Sequence, residues 1–250
     1  MLIAAVSVRR AAEEAVMKTT ILALGLATSL IGDASTPTSS DVADATERDT
    51  GRRAHMGLEM RRLAGERLIG PAVTIRVVRD DTASSTGEGL KAIRVLEAAP
   101  AGSVIVLVVE GDKDFAVFGA TFATLAKSRN LAGFVIDGAM RGVSDFQHLL
   151  MPLFARGAVP GSAGGHYRVE SIGEPVQCGG VLVAPGDIVV GDADGIAVAP
   201  KARWNDILPH AARLRREKEE ILPLIAKLKS YTKAVAERGK TPPAERRERK

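Results

Sequence analysis

Apolar and polar positions through the middle of the chain predict strands and helices in turn. The stretches 70–78 (GPAVTIRVV), 103–111 (SVIVLVVEG) and 133–137 (GFVID) are short, rich in β-branched residues and nearly free of charge, as buried strands are. Between them, 87–102 (GEGLKAIRVLEAAPAG) and 118–130 (FGATFATLAKSRN) repeat apolar residues at helical spacing. Strands that alternate with helices in this way predict an α/β fold.

The pattern changes in the carboxyl-terminal half. Short apolar runs within 152–160 and 176–200 are separated by Gly, Pro and Asp, which predicts a compact antiparallel or barrel-like layer. From 201 to about 239, apolar residues recur at helical spacing. They predict a long amphipathic helix or helix pair, bent at Pro209 or Pro223.

The amino-terminal part is expected to be a helical extension, with 5–30 packing as a helix on the domain. A signal-like stretch starts at Met17, but charged residues precede it and no convincing cleavage site follows, so secretion is the lesser alternative. The stretch is also too short and interrupted to span a bilayer. After a loop, 41–53 is polar and compatible with a helix. Four segments are expected: a helical extension (1–35), a core domain (36–200), a helix or helix pair (201–238) and a basic disordered tail (239–250).

The positive charge lies at the carboxyl end. The net charge is +4, and 233–250 contains seven Lys or Arg against three Glu, an excess equal to the whole net charge. These basic residues lack interleaved aromatics or a recognisable RNA-binding module, so nucleic acid is not an expected partner. The single cysteine, Cys178, excludes an internal disulfide and is expected to be a small core residue. Together these features favour a cytoplasmic protein.

Two stretches place backbone N–H groups or a charged side chain just after the ends of predicted strands. After Glu110, a glycine-bearing segment opens a helix near Gly119, where the first N–H groups favour a carboxylate or phosphate. After Asp137, Gly138 allows a tight turn, and Arg141 offers a planar fork of donors that matches a carboxylate. Neighbouring βα units would place both elements at the same edge of the sheet. The alternative for Arg141 is a surface salt bridge.

Other polar residues give weaker signals. Asp187, Asp192 and Asp194 lie at turns, where Asp usually bonds to the local backbone, so a metal role for Asp192 or Asp194 is the lesser alternative. The four histidines share no metal-ligand spacing. His166, on a glycine-rich loop, is the one worth testing first, although a plain surface role is favoured.

Taken together, these segments resemble a known family. The stretches GPAVTIRV, GSVIVLVVEGD, FGATFATLAKSRNLAGFVIDGAMRG, PLFARGAVP and EPVQCGGVLVAPGDIVVGDADGIAVAP are similar to the RraA-like superfamily. This superfamily contains the regulator of ribonuclease E activity and the 4-hydroxy-4-methyl-2-oxoglutarate / 4-carboxy-4-hydroxy-2-oxoadipate aldolases. The resemblance covers about 36–230. It implies a swivelling β/β/α domain with a long C-terminal helix, assembled as a homotrimer or hexamer with sites at subunit interfaces.

The resemblance also implies a site. In the aldolases, backbone amides and an arginine hold the pyruvyl group, and two Asp residues serve a divalent metal, Mg²⁺ or Mn²⁺, that stabilises the enolate. Carried onto this sequence, the substrate-binding residues and the catalytic arginine are Gly119, Ala120, Thr121, Phe122 and Arg141. Ala120 stands where the family has its first Asp, and Gly142 stands where the family has its metal-binding Asp.

Because the two family acids are missing, two functions have to be considered. Asp145, Glu110 or Asp112 would have to substitute for a metal ligand. The first hypothesis is a carbon–carbon lyase on small 2-oxo acids, which cleaves 4-hydroxy-4-methyl-2-oxoglutarate type substrates to pyruvate or decarboxylates oxaloacetate. The alternative is a non-catalytic binding or regulatory protein of the ribonuclease E inhibitor type, with a protein partner. A methyltransferase is disfavoured because no glycine-rich cofactor loop followed by a ribose-binding acid is present.

Overall fold

A central sheet lies between a layer of helices and a second layer of short strands in the computed structural model, which describes residues 36–111 and 113–240. The helices are α1 (Ser39–Thr50), α2 (Ser85–Ala98), α3 (Ala120–Ser128), α4 (Val143–His148), α5 (Trp204–Leu228) and α6 (Tyr231–Lys240), with a 3₁₀ turn at Lys201–Arg203. The strands are β1 (Arg61–Ala64), β2 (Leu68–Arg79), β3 (Val104–Glu110), β4 (Gly133–Met140), β5 (Leu153–Ala158), β6 (Tyr167–Ile172), β7 (Val176–Cys178), β8 (Val181–Val183), β9 (Ile188–Asp192) and β10 (Gly195–Ala199).

Some expectations concern other parts of the chain. The helix expected at 5–30, the signal-like stretch from Met17, the tail beyond Lys240 and Asp112 lie outside the described residues.

Four parallel strands form the centre of the sheet, in the order β2, β3, β4, β5. Each connection between them carries a helix, as parallel pairing requires. The long strand β2 continues the sheet by pairing antiparallel with β9 through its first residues and with β6 through its last. Strands β9 and β10 form a hairpin, and β1 closes the other edge against β5. The α/β class predicted from the strand and helix order is therefore confirmed.

The two faces of β3 explain its uninterrupted apolar sequence. Ile105, Leu107 and Val109 pack in the cluster that includes α2 and α3, whereas Val104, Val106 and Val108 pack in the cluster that includes β7 to β10. All six side chains are buried. A strand covered on both sides has no polar face, and the result is the three-layer arrangement expected from the family resemblance.

Strand β4 is three residues longer than its sequence predicts. Gly138 lies inside the strand, not in a turn, and a Cβ at this position would come within 2.5 Å of Val109 Cγ2. A glycine is required here because the neighbouring strands are in close contact. Strand β4 therefore continues through Gly138 and ends at Met140, immediately before Arg141.

The carboxyl-terminal helices form a pair. Both Pro209 and Pro223 lie inside α5, and the chain divides instead at Lys229, which adopts a left-handed conformation with φ 49°. Helix α5 packs on α1, where Lys218 Nζ contacts the buried carboxylate of Asp41 at 2.6 Å. Within the described ranges, no helix combines the length and apolar character needed to cross a membrane.

A buried ion cluster ties the centre of the sheet to the strand layer. Asp137 in β4 is 5% exposed; its carboxylate accepts hydrogen bonds from Arg156 of β5 and from the amide of Gly179 at 2.8 Å, with Lys113 Nζ 3.8 Å away. Burial alone would raise the pKa of Asp137. The hydrogen bonds from Arg156 and Gly179 and the nearby charge of Lys113 outweigh burial and hold the pKa below its ordinary value.

This cluster predicts that Asp137→Asn lowers the free energy of unfolding at pH 7 by about 2 kcal/mol, because charge-assisted hydrogen bonds are lost. The carboxylate contributes its stability above its unfolded-state pKa of about 3.9 and loses it as the pH falls through the lower folded-state pKa. The difference between the two proteins should therefore shrink in acid, as measured by urea unfolding at a series of pH values.

The control is Asp206→Asn, which removes an exposed partner of Arg203 at 3.3 Å. An exposed pair of this kind contributes at most about 1 kcal/mol. Equal costs for the two substitutions at pH 7 would contradict the role assigned to Asp137.

Candidate functional site

The end of β4 and the start of α3 meet at the carboxyl edge of the parallel sheet. The segment before α3 runs beside β4, with Val117 N bonded to Ala139 O at 3.1 Å and Arg141 N bonded to Phe118 O at 3.2 Å. A Cβ at Gly119 would lie 3.3 Å from Arg141 Cγ, so the arginine side chain covers the glycine. The structure thus brings together the two anion-binding elements expected from the sequence.

The first turn of α3 offers two backbone donors. Gly119 is the N-cap residue and has no side chain to cap the helix, and within the described chain the N–H groups of Ala120 and Thr121 have no hydrogen-bond partner. The N–H of Phe122, which the sequence placed in the same group, donates to Gly119 O at 3.0 Å. The site therefore has a shorter row of amide donors than the expected Gly119–Phe122 segment.

Arg141 brings a positive charge to this edge. Its side chain is exposed, and among residues 36–111 and 113–240 no carboxylate lies within 4.0 Å of its guanidinium group. The surface salt bridge considered as the alternative is not formed within these residues. A guanidinium group beside free amides at a helix start is a favourable place for a carboxylate.

Gly142 has a backbone role of its own. It adopts a left-handed conformation with φ 68° and begins α4, whose Asp145 N and Phe146 N both donate to Gly142 O. A Cβ at Gly142 would lie 3.0 Å from Asp145 Oδ2 and 3.2 Å from Ala120 N. The Gly142 position, where the family resemblance places the metal-binding acid, is thus close both to the Asp145 carboxylate and to the backbone of Ala120.

The residues at this edge do not fit a divalent ion held by the protein alone. In the parts of the chain that the structure describes, no group of three His, Cys, Asp or Glu residues is placed to bind a metal. Glu110 is paired with Arg76 at 3.2 Å, which leaves Asp145 as the carboxylate beside Gly142. Mg²⁺ and Mn²⁺ take about six oxygen ligands, and one carboxylate would leave nearly all of them to water and substrate.

The other polar candidates have structural partners. Asp192 accepts hydrogen bonds from the backbone N and Oγ of Ser39, 2.7 and 2.6 Å away, and thereby holds the start of α1. His166 stacks on Phe115 with ring centroids 3.8 Å apart and bonds to Asp81 at 2.9 Å, which fixes the glycine-rich loop. These contacts give Asp192 and His166 structural roles.

Cys178 is buried in the core, as its sequence context predicts. Burial, together with the nearby charge of Asp137, raises the pKa of its thiol and keeps it protonated.

A cleft of about 190 Å³ opens beside Arg141 and was not foreseen from the sequence. Its walls come from α2, β3, the segment before α3 and the loop before β6, which are distant in the chain. One local signal was available, because Phe118 and Phe122 are four residues apart and stack at 4.2 Å between centroids. The remaining lining residues share no sequence pattern.

Comparison with known proteins identifies the family. The family model described as Aldolase/RraA matches residues 39–198, more than half of the chain. A protein of Halalkalibacterium halodurans with the provisional name 4-hydroxy-4-methyl-2-oxoglutarate aldolase is 34% identical over 154 residues, which are 62% of this chain and 70% of that protein.

Solved structures share the fold. A Pseudomonas syringae protein aligns with a TM-score of 0.71 at 23% identity, covering 83% of this chain and 97% of its own. Streptomyces coelicolor RraAS2 is described as an unusual member of the RNase ES inhibitor RraA protein family. It aligns with a TM-score of 0.63 at 27% identity, and the alignment covers 73% of this chain and 89% of RraAS2. The three-layer fold, the strand-end arginine beside the α3 amides and the family match together show that this chain belongs to the RraA-like family.

Proposed function

We propose that this chain binds a small 2-oxo acid at the Arg141 edge and cleaves a carbon–carbon bond in it. The observation that carries the proposal is the placement of the Arg141 guanidinium beside the amides of Ala120 and Thr121, none of which has a partner among the described residues. The name of the Halalkalibacterium halodurans relative supports an aldolase of the 4-hydroxy-4-methyl-2-oxoglutarate type. Decarboxylation of oxaloacetate belongs to the same proposal because it passes through the same pyruvate enolate.

In the proposed reaction the chain holds the pyruvyl carboxylate with Arg141 and the two amides. When the bond between C3 and C4 breaks, its electron pair moves onto the pyruvyl group, and the positive ends of these donors stabilise the enolate. In the aldol case the C4 hydroxyl loses its proton, and Asp145 is the nearby carboxylate proposed to accept it. In the decarboxylation case CO₂ leaves, so no base is needed. Protonation at C3, by the proton that Asp145 accepted in the aldol case or by solvent in the decarboxylation case, then gives pyruvate.

The proposed working form is a cytoplasmic homotrimer or hexamer, as the family implies. Large apolar side chains on the protomer surface support an assembly, since Leu58 is 96% exposed and Leu150 is 75% exposed. Side chains of this kind are often covered where subunits meet.

Arg141→Ala should reduce pyruvate release at least about 100-fold, because loss of one preorganised donor to a developing oxyanion has an effect of this size. The measurement is a coupled pyruvate assay on 4-hydroxy-4-methyl-2-oxoglutarate and on oxaloacetate, each with and without Mg²⁺ or Mn²⁺. Arg129→Ala, at the opposite end of α3, is the matched control and should keep the native rate. If the native protein turns over neither substrate faster than Arg141→Ala, the lyase proposal fails.

A second candidate function is binding without catalysis. It is favoured by Ala120 and Gly142, which replace the acids expected from the resemblance, and by the likeness to RraAS2, a member of an RNase ES inhibitor family. In this role the fold and the anion site would be kept for a regulatory ligand or a protein partner. Divalent metal chemistry would not be needed.

The second candidate predicts that Ala120→Asp combined with Gly142→Asp creates a Mn²⁺ site that the native chain lacks. The two introduced carboxylates would lie close to Asp145. Three carboxylate residues would then be available to supply oxygen ligands to the ion. Calorimetric titration with Mn²⁺ measures the difference.

The matched control is Ala120→Asn with Gly142→Asn. Asn and Asp both tolerate the left-handed conformation of Gly142, so the backbone cost cancels and the charge alone differs. Stoichiometric Mn²⁺ binding by the native protein would remove the main support for the second candidate.

A further inference from the structure

Helix α5 carries one continuous seam of apolar residues along its whole length. The residues of the seam follow each other at alternating spacings of three and four, which is the pattern of a helix that packs lengthwise on a partner. They are Trp204, Ile207, Ala211, Leu214, Lys218, Ile221, Ile225 and Leu228. Lys218 is the polar position among them, and a single polar residue in such a seam fixes the register of the packing.

The first half of the seam is covered by the domain. The seam residues before Lys218 pack in the buried cluster that contains α1 and the β9–β10 hairpin. Helix α1 runs antiparallel to α5. Asp49, in the last turn of α1, bonds to Arg203 at 2.7 Å, and Asp41, in its first turn, bonds to Lys218 at 2.6 Å. Coverage of the seam by α1 therefore stops at Lys218.

The second half of the seam continues beyond the start of α1. The three seam residues after Lys218 belong to none of the buried apolar clusters of the described residues. Helix α6 packs on another face of α5, where Arg238 bonds to Glu220 at 2.9 Å. Leu222 lies roughly 160° around the helix from Glu220 and is 61% exposed. A helix end that is apolar on several sides needs more cover than α1 and α6 give it.

The chain that precedes α1 emerges at the place where this cover ends. Thr36 is buried, and the carbonyl group of Pro37 accepts a hydrogen bond from Arg67. Four residues, 32–35, separate Thr36 from the signal-like stretch 17–31. In that stretch nine of the fifteen residues are apolar and one is charged, so it too needs a partner that removes it from water.

We propose that the stretch 17–31 docks on the second half of the α5 seam, against Ile221, Leu222 and Ile225. The ten residues of α5 after Lys218 are about 15 Å long, and fifteen residues reach about 22 Å even when helical, so the stretch is long enough to cover them. Docking removes both apolar surfaces from water at once. This role depends neither on the anion site nor on the proposed lyase activity.

Hydrogen exchange of the full chain, followed by mass spectrometry, tests the docking from the side of the segment. Ile21→Glu, Leu24→Glu and Leu26→Glu, introduced together, should prevent docking because three charges would have to be buried. The amides of 221–228 should then exchange at least about tenfold faster, since burial of a single leucine side chain already changes a packing equilibrium by about that factor. The amides of β3 should exchange as in the native protein.

The matched control is Ile3→Glu with Val6→Glu and Val8→Glu, which places three charges at the same spacing before the segment. It should leave the exchange of 221–228 unchanged. If the charges within 17–31 have no more effect than this control, the proposal is overturned. Exchange that becomes faster on dilution of the native protein, without a response to those charges, would show that a second copy of the chain covers the face, and this too would overturn the proposal.

Trypsin cleavage after Lys18 tests the docking from the side of the helix. Leu222→Glu should raise the rate of this cleavage at least about tenfold, because the segment is then released from α5. The matched control is Leu182→Glu on β8, where the leucine is 59% exposed, and it should leave the rate unchanged. Equal rates in Leu222→Glu and the native protein would contradict the proposal, as would an intact mass showing that 17–31 is removed from the purified protein.

Discussion

Burial of the parallel sheet on both faces is the constraint on which the rest of the structure depends. It requires strands with almost no polar side, and it favours the strand ends as the place for a charge that has no partner in the core. Because β3 and β4 are parallel neighbours, the segments that follow them emerge at one edge. Gly119 and Arg141 are therefore in contact although more than twenty residues separate them in the chain. The candidate site is a consequence of how the core is covered.

The sequence predicted the elements whose signal is local. The apolar runs of β3 and β4 and the helical spacing of α2 and α3 give their type and approximate bounds, since neighbouring residues decide them. The sequence places the end of β4 three residues too early because Asp137 looks like a strand end. Its partners, Arg156 and the amide of Gly179, are nineteen and forty-two residues away, and no local pattern shows that they neutralise a buried carboxylate.

The candidate site residues also fall into two groups, those with a local sequence signal and those that depend on tertiary packing. Arg141 and Gly119 could be chosen from the sequence because the chemistry of a strand end and a helix start is local. The occupied N–H of Phe122, the proximity of Asp145 to Gly142 and the cleft beside them depend on tertiary packing. The left-handed backbone of Gly142 also shows that the residue does more than lack a carboxylate, since its carbonyl begins α4.

The buried thiol of Cys178 has a practical consequence. It is the single cysteine of the whole chain, and its position in the core with a raised pKa makes it a poor target for alkylating reagents. A cysteine introduced at the rim of the cleft would then be the reactive thiol of the native-state protein. The chain is already suited to carry one fluorescent or paramagnetic label at a chosen place, without prior removal of its own cysteine.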